Sequence, residues 1–77
     1  MPAKLIEDTL HTWREAERLL TQLSPVEPAY EAVRQIVVGL QASYSRLSMQ
    51  DLTADILAEC RLTLDQARST LLGLRPA

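Results

Sequence analysis

Seventy-seven residues with one cysteine, ten acids and eight bases make a small, slightly acidic chain. The lone Cys60 rules out an internal disulfide and a cysteine-rich zinc site, and the acidic balance argues against a surface that tracks nucleic-acid phosphates. The longest apolar run, 36–40, is far short of a membrane span, and Leu5-Ile6 gives way at once to Glu7-Asp8, so neither a membrane partner nor a signal-peptide core is expected.

A lone thiol fits a reducing, cytoplasmic setting. Residues 1–77 read as one helical domain, and a core this small leaves little stability margin. With no disulfide or metal to help, the remaining source of extra stability is a partner subunit. All four prolines, Pro2, Pro25, Pro28 and Pro76, lie near element ends. Because proline blocks helix interiors, its absence from the interiors of three long stretches supports helices there, at about 3–23, 26–46 and 49–72.

In the first helix Leu5, Ile6, Leu10, Trp13, Ala16, Leu19, Leu20 and Leu23 recur at steps of three and four, one broad arc centred near Trp13. Ser24-Pro25-Val26-Glu27 then reads as a capping box with proline at the first helical position. Pro28 disfavours helical geometry at Glu27, so the second start stays open between Pro25 and Pro28. From there Tyr30, Val33, Val37, Leu40, Tyr44 and Leu47 alternate like heptad a and d positions.

For the third helix, Ser48 is expected as the N-cap, with Asp51 in its first turn and Leu47 stapled to Leu52. Its apolar face is Met49, Leu52, Ile56, Leu57, Cys60, Leu64, Ala67 and Leu71. Gly73 sits where a left-handed C-cap is wanted, and Pro76 prevents continuation. The fold class is therefore all-α: three antiparallel amphipathic helices, up-down-up, completing a larger bundle by oligomerisation. Without a break at Ser48, helices two and three would fuse into one rod.

Chemistry has few places to reside. His11, the only histidine, has Asp8 three residues before it and Glu15 four after, spacings that recur in bundle-core metal sites. On a helical wheel, however, it lies roughly 170° from the apolar arc, and no second histidine exists. Phosphotransfer at His11, steadied by Arg14 and Arg18, is opposed by three nearby carboxylates. Cys60 falls mid-face in helix three, where a structural thiol belongs. No glycine-rich phosphate loop or serine elbow is present. The expectation is no enzyme, no metal and no cofactor. A helix-turn-helix entered at Arg46–Leu52 would present Asp51, Asp55, Glu59 and Asp65 outward, so no nucleic-acid partner is expected either.

The more informative residues are apolar ones outside the main faces. On helix two, Ala32, Ile36, Gly39 and Ser43 form a second stripe. A mid-helix glycine costs about 1 kcal/mol relative to alanine, so Gly39 calls for a close helix contact, either inside the chain or with another one. Val38 on helix two and Ala54, Ala58, Leu62 and Leu72 on helix three also lie off-face. Trp13, Tyr30 and Tyr44 occupy core positions, with the two hydroxyls at a rim. The candidate interface is Ile36, Val38, Gly39, Ser43, Ala58 and Leu62. The expected function is a non-catalytic interaction module forming a homo-oligomer, dimer or tetramer. The alternative is a monomeric adaptor that binds another helical protein, with a His11-based metal or phosphotransfer site a third class.

Overall fold

A computed structural model of the chain describes residues 3–49 and 52–74. It contains three helices, α1 (Ala3–Gln22), α2 (Pro28–Leu47) and α3 (Ala54–Leu74), and no strand among the described residues. Pro2, Asp51 and Pro76, each given a role in the sequence, lie outside the described residues. The helices pack into a body of 39 × 21 × 17 Å, in which α1 lies chiefly against α2 and the α1–α3 seam is the thinnest.

Pro28 decides the second helix. It disfavours helical geometry at the preceding residue, and Glu27 is extended (φ −76, ψ 140) at the N-cap with proline at the head of the helix. The capping box is half realised: the Glu27 carboxylate accepts from the Ser24 backbone N–H at 3.3 Å, but across the turn before the helix. Ser24 itself caps nothing, because the Glu27 N–H bonds to the Ser24 carbonyl at 2.9 Å and closes that turn.

The expected N-cap of the third helix is corrected by the structure. Ser48 ends α2: its N–H reaches the Tyr44 carbonyl at 3.1 Å, and its hydroxyl donates back to the same oxygen at 3.0 Å. A serine hydroxyl can serve either end of a helix, and here it bonds backward. Thr53 caps α3 instead. Its Oγ1 accepts from the Ile56 N–H at 3.2 Å and its carbonyl from the Leu57 N–H at 3.0 Å. Leu52 and Leu57, on either side of this cap, pack against the same core cluster, the positions of a hydrophobic staple. The break between helices two and three therefore begins at Ser48, where it is expected, but the third helix starts at 54 rather than 49. The left-handed cap at Gly73 is also corrected: no glycine has a positive φ among the described residues, and α3 runs on through Gly73 to Leu74.

The core has two clusters. One joins Leu5, Leu40, Leu47, Cys60, Leu64 and Ala67; the other joins Ala16, Val33 and Leu71. Ile36 packs against both. On α1 the buried line is Leu5, Thr9, Thr12 and Ala16, rotated away from the expected centre at Trp13. Two threonines thus take interior positions beside Leu5 and Ala16, while Ile6, Leu10, Trp13 and Leu20 are half-buried along the α1 flank. Trp13 meets Tyr44 across the α1–α2 seam at 5.8 Å between ring centroids, tilted by 54°. That tilted arrangement is favoured by the ring quadrupoles.

Candidate functional site

The residues suspected of chemistry end up apart. His11 is 73 % exposed on α1, and its Nε2 sits 2.8 Å from Glu15 Oε1. Asp8, its other expected companion, is drawn off by cations instead, lying 3.1 Å from Lys4 and 3.6 Å from Arg68 of α3. The hydrogen bond from Lys4, aided by Lys4 and Arg68 charge, holds the Asp8 carboxyl below its ordinary value. Cys60 is buried in α3, and its thiol points at the Ser43 carbonyl of α2, 3.8 Å away. Among the described residues no three His, Cys, Asp or Glu side chains converge as a cation would require. Nor is any helix among them long and apolar enough to cross a membrane.

Open grooves lie on the surface of the described residues. Two run along the α1–α3 seam, of about 220 and 240 Å³, with His11, Glu15, Arg18 and Arg68 on their rims and Leu71 in both floors. The third, about 310 Å³, lies between α2 and α3 over Ala32, Ile36, Gly39, Thr63 and Ala67. These volumes lie at or below the lower end of the range for small-molecule sites, roughly 300–1,000 Å³. Their sides are open, so a bound small molecule would remain largely in water.

No protein-family model, curated protein or solved structure matches the chain. What it does must therefore be argued from its own surface.

The six candidate interface residues divide into three groups. Ser43 lies inside the chain, and Ile36 is half-buried between the two core clusters. Gly39 is half-buried at the edge of the α2–α3 groove, facing Thr63. Val38, Ala58 and Leu62 are exposed, Val38 at 53 % and Leu62 at 58 %. Leu72 and Met49 are also large apolar side chains left outside. Counted at about 100° per residue, Leu62 points almost directly away from the buried line Cys60, Leu64, Ala67 and Leu71. Val38 lies on the outer side of α2, next to Gly39.

Charge is distributed as unevenly as apolarity. Residues 35–45 of α2 include no ionisable acid or base except Tyr44. Glu31 and Arg34 precede this stretch, joined by bonds of 2.7 and 2.9 Å, and this pairing with Arg34 holds the Glu31 carboxyl below its ordinary value. Arg46 closes the stretch and bonds through Nη1 to Glu59 of α3 at 2.8 Å. The sequence singles out Val38 and Gly39, whereas the placing of Glu31 and Arg46 at the two ends of an uncharged stretch becomes visible only with their partners Arg34 and Glu59.

Proposed function

We propose that this chain is a non-catalytic helical interaction module that self-associates, its up-down-up protomers completing a larger bundle. The up-down-up course is supported by the composition of the two core clusters. Leu5 near the start of α1 shares one with Leu47 at the end of α2, whereas the end of α1 shares the other with Val33. The observation that carries the functional reading is the α2–α3 groove. It is open along one side of the bundle, and Val38 and Leu62 stand exposed on the same two helices. In a 77-residue domain, several large apolar side chains left in water mark a surface used for association. A helix laid along this groove would give α2 and α3 the neighbour that α1 provides on their other side.

The test is the solution mass by size-exclusion chromatography with light scattering across a wide concentration range. A dimer or tetramer that grows with concentration is the expected result. A monomer at every concentration would reject self-association and leave a different protein as the occupant. Assembly should weaken in Leu62→Glu and Val38→Glu with helicity unchanged, since both side chains lie outside the core.

A further inference from the structure

We infer that the self-association surface is one strip of α2, Glu31, Gln35, Val38, Gly39, Ala42 and Arg46, packed antiparallel against the same strip of a second copy. This rests on the self-association reading above and names its geometry.

The first argument is Gly39. Its backbone is ordinary, with no positive φ that only glycine would adopt. Its surroundings inside the chain do not require it either: a Cβ there would meet only the Thr63 methyl, at an ordinary 3.7 Å. A glycine in mid-helix weakens that helix, and nothing within the protomer offsets the loss. A second helix passing close over Gly39 does, because two helices approach most closely where small residues meet.

The second argument is symmetry. At about 100° per residue the six residues share one side of α2, and all but half-buried Gly39 are exposed. About the midpoint between Val38 and Gly39 they form three equidistant pairs: Val38 with Gly39, Gln35 with Ala42, and Glu31 with Arg46. A two-fold axis through that midpoint sets Val38 of each copy over Gly39 of the other, a knob into a hole. It also sets an acid against a base at both ends, with only uncharged side chains between. A two-fold interface must be self-complementary in this way. Had the strip carried the same charge at both ends, the antiparallel arrangement would repel.

Glu31 and Arg46 already have intrachain partners, Arg34 and Glu59, but those pairs are exposed and contribute little. Arg46 uses only Nη1 on Glu59, and a guanidinium carries further donors. One pair of helices forms a small interface, of the size found in weak and transient complexes. The dimer therefore dissociates on dilution.

The experiment compares wild type with Val38→Glu, Leu62→Glu, Arg46→Glu and the exchange Glu31→Arg/Arg46→Glu by sedimentation velocity over a concentration series, with circular dichroism for helicity. The expected results are a wild-type dimer, a dissociation constant at least tenfold weaker for Val38→Glu and a smaller effect for Leu62→Glu. Arg46→Glu should weaken the dimer and the exchange restore it. The exchange leaves both intrachain pairs broken, so recovery reports the pairing between copies alone. A dimer that resists Val38→Glu but falls to Leu62→Glu overturns this geometry and leaves self-association standing. Loss on Arg46→Glu without recovery on exchange overturns the antiparallel register. A wild type that stays monomeric throughout removes both the surface and the reading beneath it.

Discussion

Replacing Gly39 with alanine separates stability from assembly. The added methyl enters space bounded by Thr63 Cγ2 at 3.7 Å, so α2 and α3 need not move. Alanine is favoured over glycine in a helix interior by about 0.8–1.0 kcal/mol. In a domain of this size that converts to a rise in melting midpoint of about 4–8 °C. The melt must be run in dilute solution, because a dimer stabilises the folded state by mass action and would mask the difference. Between two copies the effect reverses. Two new methyl groups enter where the helices cross, the axes are forced apart, and the dissociation constant rises. A protomer that melts higher and dimerises more weakly is the expected outcome. If the midpoint does not rise while helicity is unchanged, the account of the space around Gly39 is wrong. If it rises and the dimer remains as tight, the interface does not cross Gly39.

Three further outcomes follow from the interior and the ion pairs. Leu40 is fully buried, so Leu40→Ala should cost about 2–5 kcal/mol through lost burial and the cavity left behind, read as a large fall in the urea midpoint. Thr9 Oγ1 is buried and has no hydrogen-bond partner. Thr9→Val, which keeps the shape and removes the stranded hydroxyl, should stabilise by about 1 kcal/mol, and a lower urea midpoint would contradict that. Asp8 and Glu31 have carboxyls held below their ordinary values by Lys4 and Arg34. As pH falls through the ordinary carboxylate range, the unfolded chain takes up these protons first. Their contribution is therefore complete above that range and lost on acidification toward the lowered values. Asp8→Asn should remove part of the fall in melting midpoint seen between pH 7 and acid, and a curve unchanged by the substitution would deny Asp8 that role.

Much of the fold is legible in the sequence because its main signals are local. The seven-residue spacing of Val33, Leu40 and Leu47 identifies the inner line of α2 without any knowledge of its neighbours. Pro28 sets the start of α2 by sterics that reach only one residue back. What is not legible depends on a second element. Ser48 and Thr53 are both competent caps, and the choice between them rests on where Leu52 returns to the core, which no local pattern fixes. Thr9 and Thr12 lie in the interior because α2 and α3 together approach that side of α1, whereas a hydrophobicity pattern centres the face on Trp13.

The same division explains the candidate site. Gly39 stands out in the sequence as a cost that needs an explanation, yet sequence alone leaves open whether a contact inside or outside the chain supplies it. The 3.7 Å of ordinary space beside Thr63 means that the contact inside the chain does not require glycine. That turns attention to the exposed side of α2, where Val38 lies more than half exposed next to Gly39. Glu31 and Arg46 then acquire a meaning that composition hides. Separately each belongs to a surface ion pair worth little. As the two ends of a strip with a small, uncharged middle, they give α2 a direction that an antiparallel copy, as proposed, would match. In the proposed dimer the charges set orientation and register, while Val38 over Gly39 supplies the close approach.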